Sequence, residues 1–176
     1  MKKKTSEMGR LSLSEFSKAK KNPTIIILED IRSQHNVGSV FRTADAFRIS
    51  KIYLCGITAT PPNKEIQKTA LGATESVSWK YSEKTEDVIN ELKKNGYTIV
   101  GVEQTHNSLD LIRDKCFSSE EKIALIFGNE VFGVSESTLA SCDRIVEIPQ
   151  YGTKHSLNIS VCAGILIWEL FKIQNK

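Results

Sequence analysis

The sequence predicts an α/β fold built on a mostly parallel sheet with helices on both faces, and three observations carry that prediction. Short β-branched runs recur along the chain, stretches with helical spacing separate them, and the connections between the two are short. Strand alternating with helix is the pattern of a parallel sheet, because each parallel pairing needs a crossover and a helix supplies one. At 176 residues with 40% hydrophobic content, the chain suffices for one domain with a real core and is too short for two of ordinary size.

Taken in order, residues 1–22 form a basic, partly flexible arm ahead of a single domain at 23–176. Lys2, Lys3, Lys4, Arg10, Lys18, Lys20 and Lys21 crowd the arm, and only Glu7 and Glu15 oppose them. Such a segment is either a solvated tail or a contact for nucleic acid, and the residues alone leave both readings open. The apolar runs at 24–28, 51–55, 97–102, 124–127 and 144–148 are predicted strands covered on both faces, since they lack the polar alternation of a half-exposed sheet. Helical spacing recurs at 37–47, 86–94, 135–141 and 157–172. Gly96 follows Lys93-Lys94-Asn95 and suits the left-handed cap of a helix end, after which the next strand starts at once. Pro61-Pro62-Asn63 reads as a loop after the second strand, and there is neither an internal repeat nor a low-complexity tract.

The remaining bulk properties exclude more than they assign. The net charge of +3, from 24 Lys and Arg against 21 Asp and Glu, is too mild an excess to indicate nucleic acid by itself. Cys55, Cys116, Cys142 and Cys162 are widely spaced, with no C-x-x-C pair and no His at zinc-finger distance, which argues against structural zinc; no metal is expected. Cys55 and Cys162 sit in apolar runs and are read as core thiols. No signal-peptide pattern opens the chain, so the expected compartment is reducing, most simply the cytoplasm. The most apolar segment, 159–173, is shorter than the roughly 20 residues of a membrane span, and Glu169 and Lys172 interrupt it, so it is read as a buried helix and no membrane partner is expected.

In an open parallel sheet, ligands gather at the carboxyl ends of the strands, and three segments there carry unusual residues. After the first strand, Asn36 reads as an N-cap and Gly38 as opening the first turn to an anionic group, with Arg42 and Thr43 further along the helix. That suits a phosphate or a sugar hydroxyl; an ordinary capped helix with an exposed arginine is the alternative. After the fourth strand, Gly128-Asn129-Glu130-Val131-Phe132-Gly133 sets two glycines where turns form and backbone amides reach a ligand, with Glu130 placed to orient a polar partner. A plain strand-to-helix turn is the alternative here. The segment is not G-x-G-x-x-G, which argues against a nicotinamide enzyme. After the fifth strand, Ser156, Asn158 and Ser160 put polar groups at the start of a buried helix; one is explained as an N-cap, and the others need partners that a ligand can supply. His106 and His155 are isolated, and a lone histidine is more often incidental than an acid or base.

Together and in this order, the three segments resemble the motifs of the SpoU (TrmH) branch of the SPOUT superfamily. Asn36-Val37-Gly38-Ser39-Val40-Phe41-Arg42-Thr43 matches N-x-G-x-x-x-R-T. The second motif is Ala124-Leu125-Ile126-Phe127-Gly128-Asn129-Glu130 with Gly133, and the third is Ile148-Pro149, Gly152 and Ser156-Leu157-Asn158-Ile159-Ser160. The resemblance spans the chain from about Thr24 onward. It implies a C-terminal trefoil knot, a topology that general connection rules nearly forbid and that no sequence pattern displays. It further implies S-adenosylmethionine as the cofactor, held largely by backbone groups around Thr105, Gly128, Asn129, Gly133, Ile148 and Leu157. A homodimer packed through the first and last helices, with a site shared between subunits, is implied as well.

The activity implied is transfer of a methyl group from S-adenosylmethionine to a ribose 2′-hydroxyl of tRNA or rRNA, with Asn36, Arg42, Glu130, Ser156 and Asn158 as catalytic candidates. Arg42 is too basic to accept a proton readily, so an anchoring role on phosphate and on the developing alkoxide suits it better. Ser156 and Asn158 are expected to position the sugar and the donor's methionine end, with Glu130 orienting one of them. Transfer RNA is the favoured substrate, because a small dimer with flanking basic surface binds it without an extra domain. Two other readings stand beside this one: a SPOUT-fold RNA-binding protein without turnover, which the presence of Arg42, Glu130, Ser156 and Asn158 weighs against, and a nucleotide-binding α/β enzyme of other chemistry.

Overall fold

The computed structural model describes residues 2–4, 7 and 9–175. Met1, Thr5, Ser6 and Met8 of the expected arm, and Lys176 at the end of the expected domain, lie outside the described residues.

The arm contributes one short helix, α1 (Leu13–Lys18), closed by a capping box in which Ser12 accepts from the Glu15 N–H and Glu15 accepts from the Ser12 N–H. It buries Phe16 in the core, and Lys21 folds back with its ammonium 3.2 Å above the Phe16 ring centroid. There follow β1 (Asn22–Glu29), α2 (Gln34–Ala46), β2 (Ile49–Cys55), α3 (Lys64–Ala70), α4 (Ala73–Ser76), β3 (Trp79–Ser82), α5 (Thr85–Lys94) and β4 (Tyr97–Val102). The chain ends with β5 (Leu109–Asp110), β6 (Lys122–Phe127), α6 (Glu136–Ala140), β7 (Arg144–Glu147) and α7 (Ile159–Gln174).

The strands form one sheet in the order β3-β2-β1-β6-β4-β7-β5, and every pairing is parallel. Near its centre, Ile26 of β1 lies opposite Ile52 on one side and Leu125 on the other. Successive side chains leave opposite faces, as the pleat requires. Ile26, Leu28, Leu54, Leu125 and Phe127 pack with α2, α3 and α7, while Ile25, Ile27, Tyr53, Ala124 and Ile126 pack with α5 and Val134. The sheet is therefore covered by helices on both faces, as its continuous apolar runs predict.

Two readings of α2 change. Its N-cap is Ser33, whose hydroxyl accepts from the Asn36 N–H at 3.3 Å; Asn36 sits a turn inside, with its side chain buried. Gly38 serves packing rather than anion binding: a Cβ there would lie 2.1 Å from Thr69 Oγ1 and 2.2 Å from the Ile66 carbonyl oxygen, so glycine lets α3 close on α2. The last helix starts at Ile159, two residues later than its apolar pattern suggests, because Asn158 caps it. β3, β5, α1, α3 and α4 escape the sequence pattern altogether. β3 is a four-residue edge strand with Lys80 and Tyr81 exposed, β5 has two residues, and the helices are too short to show a period.

Candidate active site

A cleft of about 510 Å³ opens at the carboxyl ends of β4, β6 and β7, where Val102, Phe127 and Glu147 close the strands. That is where a parallel sheet places its ligands, and the volume falls in the roughly 300–1,000 Å³ range of small-molecule sites. The segments after β6 and β7 form much of its wall: Gly128, Asn129, Glu130, Val131, Phe132 and Gly133 from one, and Ile148, Gln150, His155, Ser156, Leu157 and Asn158 from the other.

A chain of polar side chains joins the three sequence clusters at one edge of this cleft. Glu130 accepts from the backbone N–H groups of Arg32 and Ser33, each at 2.9 Å, and from Asn36 Nδ2 at 3.0 Å. Asn36 Oδ1 in turn accepts from Asn158 Nδ2 at 3.1 Å, and Asn158 Oδ1 caps α7 by accepting from the Ser160 N–H at 2.9 Å and its hydroxyl at 2.7 Å. The polarity of the chain is fixed at both ends. A carboxylate only accepts and helix N–H groups only donate, so both asparagine amides have one workable orientation. Glu130 stays ionised within it: burial pushes its carboxyl up, but the donors from Arg32, Ser33, its own N–H and Asn36 outweigh this and hold it below the ordinary carboxylate range.

The turn after β6 is pinned separately. Asn129 exchanges backbone hydrogen bonds with Gly133 at 3.0 and 2.9 Å, its Oδ1 accepts from the N–H groups of Val131 and Phe132, and its Nδ2 donates to the Asp30 carbonyl at 2.8 Å. Gly133 adopts φ +70°, and a Cβ there would meet Glu103 Oε2 at 2.2 Å. Gly128 is packed as closely, but against backbone: its Cβ would sit 2.2 Å from the Gly133 carbonyl carbon and the Val134 nitrogen. Both glycines are thus demanded by the turn.

The profile of the SpoU rRNA Methylase family matches residues 23–168. The chain belongs to this family. It is 33% identical over 147 residues to the 23S rRNA (guanosine-2′-O-)-methyltransferase RlmB of Neisseria meningitidis serogroup B. It is 30% identical over 149 residues to a Staphylococcus aureus protein named for the TrmH family of tRNA/rRNA methyltransferases. These alignments take in 84% and 85% of this chain but 57% and 58% of the relatives, so the chain spans little more than half the length of the curated relatives it matches. Among solved structures, the AdoMet-bound rRNA methyltransferase from Sinorhizobium meliloti is similar at TM-score 0.78 and 27% identity, over 87% of this chain and 57% of that one. The A. aeolicus TrmH/SpoU tRNA modifying enzyme shares the fold at TM-score 0.82 and 23% identity, over 93% and 82% of the two chains.

Within this family frame, the structure sorts the residues singled out from the sequence. Glu130, Ser156, Asn158, Gly128, Asn129, Gly133, Ile148 and Leu157 line the cleft, and Asn36 stands directly behind Glu130 and Asn158. Asn129 spends its side chain on the turn, so only its backbone is free to meet a ligand. Thr105 does not line the cleft, and its buried hydroxyl has no partner among the described residues. Arg42 is also absent from the wall. It lies on the exposed stripe of α2 with His35 and Ala46, because six residues rotate a helix by roughly 240° and carry it away from the face of Asn36. His155 lines the cleft and His106 does not. Cys162, expected in the core, is half-buried at the cleft wall, while Cys55 is fully buried and desolvation pushes its thiol up to about 12.

Sequence reading missed Glu103 and Glu147, which bring two more carboxylates to the cleft, although both stand at or just past strand ends. It also missed the Arg32 and Ser33 amides, since backbone donors leave no residue signature. Apolar walls from Val102, Ile148 and Leu157 beside three carboxylates fit a ligand with a flat apolar ring and a positive centre. Among the described residues no group of His, Cys, Asp and Glu is placed to hold a metal ion, and no helix is long and apolar enough to cross a membrane.

Proposed function

We propose that this chain transfers a methyl group from S-adenosylmethionine to a ribose 2′-hydroxyl of RNA, and the polar chain linking Glu130, Asn36 and Asn158 at the cleft edge is the observation that carries the reading. It unites all three family motifs at one point, where a nucleophile and a donor have to meet. The cleft suits the donor: its apolar wall matches an adenine ring and Glu103, Glu130 and Glu147 match a cationic sulfonium and ammonium. Bound there, S-adenosylmethionine supplies an electrophilic methyl group with a good leaving group already in place. The protein's task is then alignment, because little covalent help is needed.

In this reading Asn158 and the free hydroxyl of Ser156 meet the donor's methionine end and the sugar, while Asn36 and Glu130 are positioning residues that hold the Asn158 amide in one orientation. The backbone at Gly128, Asn129, Gly133, Ile148 and Leu157 holds the remainder of the donor, with Thr105 standing outside the cleft wall. Arg42 anchors a phosphate and stabilises the developing alkoxide, and the ribose proton leaves to a phosphate oxygen or water.

Arg42 stands outside its own subunit's cleft wall, so the reading includes a homodimer with Arg42 acting across the interface. Support comes from α7, which packs on α2 and exposes Val161 and Trp168, with Gly164 on the same side. A Cβ at Gly164 would meet nothing within 4 Å, yet glycine inside a helix costs about 1 kcal/mol relative to alanine; a second helix packed closely there offsets it. The C-terminal trefoil knot belongs to the same reading, supported by the chain's return from β7, near one sheet edge, to α7 against α2 and β1. So does a division into a basic arm and a domain at 23–176, with the cations of the arm on RNA phosphates, transfer RNA as the preferred substrate, and a reducing cytoplasm suited to four free cysteines.

The test is incubation with labelled donor and total RNA, followed by mapping of methylated riboses. Wild-type protein yields 2′-O-methylribose; Arg42→Ala and Asn158→Ala are each inactive, Arg42→Ala still binds donor, and mixing the two variants after subunit exchange restores activity. RNA left unmethylated by folded wild-type protein defeats the reading, and a mixture as inactive as its parents places Arg42 at its own subunit's cleft.

A further inference from the structure

Phe132 is 85% exposed and Val131 65% exposed, and both line the cleft. A large aromatic side chain left in water is ordinarily able to fold back. Here the backbone that carries it cannot move with it, because the turn is tied down: the Val131 and Phe132 N–H groups both donate to Asn129 Oδ1, at 2.9 and 3.2 Å, and the turn is clamped by the Asn129–Gly133 pair and by Asn129 Nδ2 on the Asp30 carbonyl. Two residues back is Glu130, the carboxylate that orients Asn36. An exposed aromatic side chain on a rigid turn therefore stands beside the point where the proposed reaction places the ribose.

Resting on the reading in Proposed function, we infer that Phe132 is a stacking platform for the base of the nucleotide whose ribose is methylated, so that the substrate is an unpaired nucleotide splayed out of its strand. Every base offers a π-face, and single-stranded RNA is recognised by such aromatic stacking combined with nearby cations. The cations are present: Arg32 and Lys154 flank the cleft segments, are exposed, and have no ion pair among the described residues. A protein partner fits less well, since a stable interface needs about 800 Å² on each side and this tip offers two side chains. A base held against Phe132 has left its neighbours, which frees its ribose to turn toward Asn158.

The test compares wild-type protein with Phe132→Ala and Phe132→Trp. Methyl transfer to RNA falls roughly 5- to 150-fold in kcat/KM for Phe132→Ala, mainly through KM, and is restored in Phe132→Trp, because stacking on a base is lost and then regained. Calorimetric donor binding is unchanged in both. An RNA hairpin carrying 2-aminopurine gives a reading independent of turnover: wild-type protein and Phe132→Trp quench the probe in the loop but not in the stem, and Phe132→Ala does neither. Weakened donor binding assigns Phe132 to the donor, a change in sedimentation assigns it to a subunit contact, and an unchanged KM with unchanged quenching removes it from recognition; each overturns the inference. Absence of methyl transfer by the wild-type protein defeats the catalytic reading, and the quenching experiment still decides the stacking.

Discussion

Residues 128–135 and residues 149–157 both leave a strand end and both line the cleft, yet their polar groups are treated differently. In the first, Asn129 satisfies three backbone groups with its side chain, the Val134 N–H donates to Glu103 Oε2, and Ser135 gives both its N–H and its hydroxyl to Glu29. In the second, no side chain of residues 149–157 makes a hydrogen bond among the described residues, and residues 151–157 are exposed. Side-chain hydrogen bonding resumes at Asn158, which is tied to Asn36 and to its own helix. One wall of the cleft is therefore built by the protein itself, and the other keeps its polar groups for something else to satisfy. A pre-formed wall fixes geometry without loss of entropy on binding, while an open one lets ligand enter and closes over it afterwards.

Removing the anchor of the built wall gives the largest expected effect. Glu130→Ala leaves the Arg32 and Ser33 amides and Asn36 without their acceptor, so the asparagine pair loses its single orientation. Methyl transfer then falls about 100-fold, carried by kcat, because misplacement near the reacting atoms has that scale. Glu130 itself is exposed, so the truncation opens no cavity in the core. Glu130→Gln recovers part of the loss, as its one oxygen can still accept from Asn36. Equal kcat in all three proteins removes Glu130 from positioning.

The glycines sharpen the comparison as a stability measurement. Gly128→Ala forces a Cβ to within 2.2 Å of backbone in the built wall, whereas Gly152→Ala in the open one meets nothing within 4 Å at an ordinary φ. Overpacking of this kind costs about 1–3 kcal/mol, which lowers Tm by roughly 2–12 °C in a chain of this size. Gly152→Ala leaves Tm within about 1 °C, as surface substitutions do. Equal shifts in the two variants erase the distinction between the walls.

The smallest effect is on acid stability. Because donors hold the folded Glu130 carboxyl below its ordinary value, its contribution is fully present above the unfolded value near 4.3 and is lost as pH falls through the folded one. Acid titration of Glu130→Gln followed by circular dichroism shows a shallower loss of stability below about pH 4 than the wild-type protein. Parallel curves contradict an ionised, donor-held carboxylate.

What the sequence discloses and what it withholds follow the same division between local and distant causes. The central strands were legible because burial on both faces writes a continuous apolar run, as in the Ile25-Ile26-Ile27-Leu28 stretch of β1. Edge strand β3 was not, since half its residues face water and its length gives no period. Asn36 looked like a cap by residue type, but the cap is Ser33, and the reason Asn36 sits inside the helix is Glu130, ninety-four positions away. Gly38 was misread for the same cause: its neighbour is α3, a helix too short to predict. Residues of the second and third motifs line the cleft, yet the pattern could not say that Arg42 turns away from the cleft while Asn36 turns toward it.

The central claim, that the open wall waits for a methyl donor, is tested most directly by titrating the folded protein with S-adenosylmethionine in the absence of RNA and following hydrogen exchange. The account predicts saturable binding of one donor per chain, with new protection concentrated in residues 149–158 and little change at the already ordered residues 128–135. Failure of both the donor and its demethylated product to bind, or protection elsewhere than at this cleft, contradicts it.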